Sequence, residues 1–589
     1  MSGDWRSFWG DVSCWVTAAF FAVGILVLGV RLKAVQVDGV GESNYDMRRQ
    51  SLRRVQTEGG RGRILACDGT VLAGNRPTLS ITINPSLYRG RDWEKTAEEI
   101  KAALARAERV VGRPAEVGDR EIMRHLRQSL ARPLEAWRDL TEDELARFSE
   151  HGREFPGFSC SAGEVRVYPE KTLASQLIGY VGRDRVASSS DEKFSFREFE
   201  MRGRGGLEYY SDGFLRGAPG EMRLQVDSRG FTHREWTVVE AKRGPDLRLT
   251  IDPAVQRAAE AQLADVRGAC VVLDPRDGAV LAFASSNTID LNRMVPVLSQ
   301  ACYEESLKSR NLASGGAYAP GSTFKPLTAL AAMKSGVEPG YGYECVGYYE
   351  CGPMKIRCAR AWGHGDMDIR SALRESCNSF FCNLGVTAGT NAVMSTARAF
   401  GLGSRTGIDF VEDLPGLVPD AEAKFARGAG PWYAGDLAQM SIGQGLLLVT
   451  PLQMARVIGA INTGFLVTPR LNSELPPVRT PVRGFTEAQF RTVREGLAMV
   501  TNGGTGRRGA AGVDAEVVGK TGTAEVGYGE RRYKNTWFVA YAKPNAKSRS
   551  GSGDRTVAVA MVIEHGESGG GTTAPRVAEI LKTIYNRHD

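Results

Sequence analysis

Cysteine is scarce in this chain: ten in 589 residues, too few for a disulfide-built scaffold. An excess of charge of one sign is also missing. Lysine and arginine number 75 against 68 aspartates and glutamates, a net charge of +7. No basic helix or aromatic-basic stripe accompanies that mild surplus, so nucleic acid is not an expected partner. Histidine is rarer still, at six; His125 and His565 stand alone and read as surface residues. No internal repeat is present, which argues against solenoid and propeller architectures. Residues that are 42% hydrophobic and 24% charged exclude a largely disordered chain. The length is too great for one core and calls for two to four domains.

One apolar run is long. Val12 to Val30 carries no charge over 19 residues, about 28 Å as a helix, which matches the hydrocarbon core of a bilayer. Trp9 and Trp15 lie near one end, where interfacial aromatics belong. The run exceeds a signal-peptide core and no A-x-A pattern follows it. A single membrane anchor over 12–30 is expected, with 1–11 as a short tail. Arg6 precedes the run while Arg31 and Lys33 follow it. That is opposite to the positive-inside expectation and leaves the orientation open.

Behind the anchor, residues 34–240 mix short strands and helices. Arg61 to Ala73 reads as a hairpin about Asp68-Gly69. The stripe Ile100, Ala103, Leu104, Ala107, Val110 and Val111 marks a helix from Trp93 to Val111, and Thr141-x-x-Glu144 is a capping-box helix start. Polar stretches near 186–206 and 227–246 read as loops or a linker. A second unit, 247–589, opens with the Asp252-Pro253 helix start and a hairpin, Ala269–Leu273 with Ala279–Ala284. Ala515–Val518, Trp537–Tyr541 and Val557–Ile563 read as strands, Lys543–Arg555 as a loop, and Ala574–Asn586 as a closing helix. Strands at both ends with helices between predict one sheet assembled from distant sequence and covered by helices.

Three short motifs in this unit carry chemistry. Ser322-Thr323-Phe324-Lys325 is S-x-x-K at a helix start, where residues i and i+3 share a face. A neutral lysine there can take the serine proton, and burial or nearby positive charge lowers its pKa toward that role. Ser376-Cys377-Asn378 is S-x-N: a hydroxyl that can relay a proton and a carboxamide that can hydrogen-bond both ways to a substrate amide. Lys520-Thr521-Gly522-Thr523 follows a strand, and its glycine marks close approach of another chain or ligand. An edge strand of this kind can pair with an extended peptide. Lys520 offers a fixed positive charge for a carboxylate, and the backbone N–H groups of Ser322 and Thr523 can form an oxyanion hole. Each motif alone is weak. Ser190-Asp191-Glu192-Lys193 repeats the first and Ser285-Ser286-Asn287 the second. The ordered set is strong, because S-x-x-K, S-x-N and K-T-G together mark serine β-lactamases and penicillin-binding proteins.

The chain resembles a class B penicillin-binding protein, a membrane-anchored peptidoglycan D,D-transpeptidase. Beyond the three motifs, the likeness rests on Arg61-Gly62, Arg166-x-Tyr168-Pro169, Gly179-Tyr180-Val181-Gly182, Gly206-Leu207-Glu208, Leu215-Arg216-Gly217 and Leu249-Thr250-Ile251-Asp252. Ser441-Ile442-Gly443-Gln444-Gly445 and Thr450-Pro451-Leu452-Gln453 fit as well. Trp362-Gly363-His364-Gly365 and Pro431-Trp432-Tyr433 are most similar to the elongation branch. The resemblance implies an α/β (α+β) chain: a transmembrane helix, a mixed α/β pedestal over 34–240, and a transpeptidase domain over 247–589 with a central antiparallel sheet flanked by helices. It implies Ser322 as acylated nucleophile, Lys325 as general base, Ser376 as proton relay and Asn378 as peptide holder, with Lys520, Thr521, Gly522 and Thr523 forming the carboxylate wall. It also implies stem peptides ending in D-Ala-D-Ala as donors, an amine acceptor, acylation by β-lactams, and no cofactor for the chemistry. The catalytic domain would face the extracytoplasmic side of the bacterial inner membrane. No glycosyltransferase domain fits before the pedestal, so a separate membrane polymerase such as RodA, of the SEDS type, is the expected partner.

Cys345, Cys358, His364 and Cys377 lie between the first two motifs. Three sulfurs and one imidazole are the ligand set of a structural zinc site. A disulfide using Cys351, or unlinked buried thiols including Cys382, are the alternatives at this stage. Rival functions are a division-specific transpeptidase of the same class, a non-catalytic β-lactam sensor or scaffold, and a serine β-lactamase. A β-lactamase needs neither pedestal nor anchor, and a sensor would need more than the 11 residues before the span.

Overall fold

The computed structural model describes residues 4–34, 36, 51–88, 92–128, 133–184, 195–197, 200–227, 232–295, 300–527, 532–545 and 555–586. The second S-x-x-K run, 190–193, and most of the 543–555 loop lie outside them.

The amino-terminal helix α1 (Asp4–Lys33) carries one stretch, Cys14–Lys33, long and apolar enough to cross a membrane. Its side chains there are exposed, Phe20 at 79% and Trp15 at 77%. A solvent-facing helix of this composition has no protein core to join and is consistent with a single-pass anchor.

Among the described residues the pedestal holds two larger sheets and a two-stranded one, Val181–Asp184 with Glu200–Gly203. In one of the larger sheets, Ile64–Leu65 pairs with Val71–Ile83, which pairs in turn with Leu134–Trp137 and Phe158–Val167. Helix α2 (Trp93–Val111) packs Ile100, Ala103, Leu104 and Ala107 against Ile81 and Ile83. Asp92 caps its start and Gly112, at φ 91°, closes it in the left-handed region that glycine tolerates. The capping box of Thr141 and Glu144 forms in both directions. The stretches 186–206 and 227–246 are a correction. They contain Glu200–Gly203, Ser195–Arg197 and a strand, Thr232–Val239, at the outer edge of the second sheet. Thr232–Val239 has no fully buried residue, so it lacks the alternation by which strands are read.

Three of the stretches that carry the family resemblance meet in one buried network. Arg61 Nε donates to Glu208 Oε2 at 2.6 Å and Arg166 Nε to Glu208 Oε1 at 2.7 Å. Arg61 also reaches Asp212, and Arg166 reaches Gly62 O and Asn75. Taking a carboxylate out of water is costly unless it is paired and hydrogen-bonded as here. The network ties residues near 61, 166 and 208 into the platform that carries the second unit. Across the seam, Leu247–Arg248 pairs with Ile64–Leu65. Asn292 brackets the backbone N–H and C=O of Tyr168 at 2.9 and 2.8 Å. Ala174 N donates to Glu260 at 2.7 Å, a carboxyl whose burial pushes it up to about 7.

The second unit is built on five antiparallel strands: β1 (Gly268–Leu273), β2 (Val280–Ser285), β3 (Ala515–Val526), β4 (Tyr533–Pro544) and β5 (Val557–Ile563), in the spatial order β2-β1-β5-β4-β3. Alternate residues serve opposite faces. Val271, Val539 and Ala560 face a helical core, while Val272, Ala540 and Val559 face Val255, Val577 and Leu581. The latter come from the helices α3 (Pro253–Ala261) and, at the chain's end, Ala574–Tyr585. Both faces are covered, which is why β1, β2 and β5 read as continuous apolar runs. Strand β3 is an edge, and the site lies along it.

Candidate active site

Ser322 lies in a short 3-10 turn, Gly321–Phe324, which leads straight into α4 (Lys325–Lys334). Pro326 suits the first turn of that helix because its missing N–H is not needed there. The turn is held from two sides. Gly321 N donates to Gly443 O at 2.9 Å, and a Cβ at Gly321 would stand 2.8 Å from Thr523 O. Trp537 Nε1 fixes the approach to the turn by donating to Ala319 O at 2.9 Å.

Lys325 is fully buried. Its amine donates to Ser376 O at 2.6 Å, to Asn378 Oδ1 at 2.8 Å and to Ser376 Oγ at 3.3 Å. These bonds aim the amine at the S-x-N residues. Burial lowers the Lys325 pKa to about 8, against an opposing pull from Cys377 and Cys358.

Ser376 ends α5 (Ile369–Glu375) at φ 57°, and Asn378 begins α6 (Asn378–Ala388). The left-handed backbone of a non-glycine residue is strained; here it turns the hydroxyl between two lysine amines. Lys520 Nζ reaches Ser376 Oγ at 2.9 Å. Lys520 is also fully buried, and its pKa falls well below the usual lysine value through burial and then through the Lys325 charge. Two lysines on one hydroxyl, both desolvated, favour a neutral amine in the pair. The Asn378 carboxamide is turned to the protein at both ends, accepting from Lys325 and donating through Nδ2 to Arg357 O at 3.0 Å. One N–H and one lone pair of that amide remain for a substrate.

The K-T-G residues lie inside β3, with the strand running through them. Gly522 pairs with Trp537, and a Cβ there would meet Pro320 O and Thr323 Cγ2, each at 2.8 Å. The close approach that glycine permits is that of the serine turn itself. Thr523 Oγ1 accepts from Gly569 N at 3.3 Å. Ser322, Lys325, Ser376, Asn378, Lys520, Thr521, Gly522 and Thr523 are thus brought to one place. The lookalike Ser285-Ser286-Asn287 is spent on structure: Ser285 Oγ accepts from Leu312 N at 2.9 Å and Ser286 Oγ from Gly268 N at 3.1 Å. Gly443 and Arg357 are contributors that motif reading does not reach, since each acts through a backbone carbonyl.

Cys345, Cys358, His364 and Cys377 form a second constellation beside the first, with all four ligand atoms within 4.8 Å of one another. Cys358 Sγ lies 3.7 Å from Cys377 Sγ and 3.4 Å from His364 Nδ1, and Cys345 Sγ lies 3.5 Å from the same nitrogen. A tetrahedral zinc with thiolate and imidazole ligands spaces sulfurs about 3.8 Å apart and sulfur from nitrogen about 3.5 Å. The donor set therefore fits that ion. All the cysteines described are free thiols, and a disulfide would need the sulfurs at about 2 Å. Cys358 is pushed toward thiolate by its hydrogen bond with Cys377 and by the N–H groups of Ser379 and Asn378 at the start of α6.

Comparison with known proteins agrees with this geometry. Residues 268–582 match the family model of the penicillin-binding protein transpeptidase domain, and residues 56–249 that of the penicillin-binding protein dimerisation domain. The peptidoglycan D,D-transpeptidase MrdA of Acinetobacter baumannii is 29% identical over 96% of this chain and 86% of its own length. That of Escherichia coli K12 is 30% identical over 76% and 75%. Among solved structures, a peptidoglycan synthase complex said to coordinate polymerization and crosslinking matches at TM-score 0.72 and 26% identity, over 98% of this chain and 99% of that one. The complex of penicillin-binding protein 2 with MreC from Helicobacter pylori shares the fold at TM-score 0.76 and 24% identity, over 91% and 99%. With the serine turn, the paired lysines and the K-T-G edge in one cleft, and both family models matched along the chain, this protein belongs to the class B penicillin-binding proteins, the peptidoglycan D,D-transpeptidases of the elongation type.

Proposed function

We propose that Ser322 is the nucleophile of this transpeptidase and that Lys325, Ser376 and Lys520 move its proton. The observation that carries the reading is the convergence of two fully buried lysines on the one Ser376 hydroxyl. Ser322 Oγ attacks the carbonyl of the penultimate D-Ala, and its proton passes to Lys325. The peptide C–N bond breaks, and D-Ala leaves as an amine protonated through Ser376. An acceptor amine then attacks the ester, the new amide forms, and Ser322 regains its proton. The Ser322 and Thr523 N–H groups polarise the carbonyl, Asn378 positions Lys325 and the donor amide, and Lys520, Thr521 and Thr523 take the terminal carboxylate. A β-lactam follows the first half of this path and stays attached, because its ring nitrogen remains tethered.

Labelling with a fluorescent penicillin followed by peptide mapping is expected to place the adduct on the peptide holding Ser322. An adduct on Ser376 or on any other serine would overturn the assignment.

The same reading sets the catalytic unit on the extracytoplasmic side of the inner membrane, where the stem peptides are. It pairs the chain with a separate polymerase of the RodA type, in keeping with a synthase complex among the structural neighbours. Zinc at Cys345, Cys358, His364 and Cys377 would serve structure alone, pinning the loop before α5 to the S-x-N turn; the chemistry runs on side chains. One zinc per chain is expected on metal analysis of purified protein. A strong chelator should then lower the melting temperature by several degrees, since binding energy at such a site is folding energy. Far less than one zinc with oxidised thiols would remove the metal from the scheme.

A further inference from the structure

We propose that Thr505 supplies a second hydroxyl for the terminal carboxylate of the substrate, beside Thr521. This rests on reading the K-T-G strand as the carboxylate wall. Thr505 Oγ1 lies 2.9 Å from Thr521 Oγ1. Thr521 is buried to 6% exposure, whereas Thr505 is exposed. The pair therefore has one hydroxyl on a buried strand residue and one on an exposed loop residue.

The loop that carries Thr505 is shaped to bring it there. Helix α7 (Glu487–Thr501) runs beside β3 and is tied to it by Thr501 Oγ1 donating to Val517 O at 2.6 Å. Asn502-Gly503-Gly504-Thr505-Gly506 then folds back on the helix end, with Gly506 N bonded to Val500 O at 3.0 Å. Gly503, at φ 129°, holds a backbone that other residues rarely adopt. Behind the loop, a Cβ at Gly570 would stand 2.3 Å from Thr505 O, so the Gly569–Thr573 segment buttresses the threonine backbone. Arg507 and Arg508, both exposed, follow on the same loop and add positive charge near an incoming anion.

A carboxylate has two oxygens and accepts only; a hydroxyl has one hydrogen to give. In the free protein the two hydroxyls share one hydrogen bond; when an anion arrives that bond is given up and each O–H turns to one carboxylate oxygen, the bidentate arrangement that gives carboxylate recognition its geometry. A structural threonine would instead bury its hydroxyl on a main-chain acceptor, as Thr501 does.

The test measures acylation of the full chain by benzylpenicillin and by its carboxylate methyl ester, with wild type, Thr505→Val and Thr505→Ser. Thr505→Val is expected to slow acylation by the free acid about tenfold, the loss of one hydrogen bond to a charged group. The ester should react as it does with wild type, and Thr505→Ser should restore the acid rate. Equal slowing of acid and ester, or no slowing of either, would overturn the proposal. A wild-type protein with no preference for the acid over the ester would overturn the carboxylate wall itself, and Thr505 with it. Unchanged melting of the valine variant separates the outcome from a folding defect.

Discussion

Lys325→Met acylates at Ser322 about 10²–10⁴-fold more slowly than wild type, the range that a general base supplies. The methionine fills the same channel over Phe381, where the Lys325 amine now stands 5.6 Å from the ring centroid, but it can neither accept nor pass a proton. Ser376 O and Asn378 Oδ1 lose their donor, at a cost of about 1–3 kcal/mol each where water cannot enter. Removal of one of two buried amines that disfavour each other's charge offsets part of that. A melting curve taken beside the labelling rate therefore separates lost chemistry from lost fold. As the proposed base, the same lysine is expected to set the pH dependence. The base must be neutral, and the Lys325 pKa is lowered to about 8. Labelling by wild type is thus expected to rise with pH and level off above about 8, since protonation below that point removes the base. A methionine variant that labels at the wild-type rate, or a flat wild-type profile from pH 6 to 9, would remove Lys325 from that role.

The second large effect belongs to a residue without a side chain. Gly443 has φ 73°, and a Cβ there would stand 2.0 Å from Gly321 O and 2.7 Å from its carbonyl carbon. Those atoms are backbone and belong to the turn that holds Ser322. Gly443→Ala must push the turn away, with loss of the Gly321 N–H bond to Gly443 O. We expect a destabilisation of about 3 kcal/mol or more, in the range reserved for strain at a special backbone site, and acylation at least about tenfold slower. Gly445→Ala is the internal control. It shares the loop and the same φ of 73°, but its nearest neighbour would be Gln439 Cβ at 3.7 Å. That variant carries the conformational cost alone, about 1 kcal/mol, and should acylate near the wild-type rate. Equal behaviour of the two alanine variants would show that the Gly443–Gly321 contact does not hold the nucleophile.

How much of this molecule can be read from its residues varies with the physics at each place. Helix Trp93–Val111 is readable to its ends, because an apolar stripe and the capping residues Asp92 and Gly112 are all local signals. The hairpin of β1 and β2 is readable because both strands are buried on both faces. The strand Thr232–Val239 is not, since an exposed edge selects no pattern of apolar residues. Gly519, Lys520 and Gly522 are poor strand formers, so the strand stops at Val518 when read locally; pairing with Trp537–Val539 carries it on. The site divides in the same way. Its reactive side chains sit in short motifs, whereas Gly443, Arg357 and Thr505 act from segments remote in sequence, and only folding makes them neighbours. Spacing leaves open which of the cysteines cluster. The hairpin Tyr348–Cys351 with Met354–Arg357 carries Cys351 away from the group and brings Cys358 to Cys377.

The order of strands also sets a timetable for synthesis. β1 pairs with β2 on one side and with β5 on the other, and β5 is the last strand made. The β1–β2 hairpin, whose strand residues are all buried, waits for its second neighbour while roughly 280 residues are added, on the order of 15–60 s at ribosomal speed. Contacts so remote in sequence are slow to form, and an apolar hairpin left open that long is a natural client for a chaperone. Ser322 and Ser376 emerge early, but Lys520 reaches them only on β3, which is held in the sheet through β4 and β5. An unfinished chain therefore has a serine without the second lysine and without the strand edge that would receive a peptide. On the proposed reading, the site around Ser322 is complete only when the last part of the sheet closes.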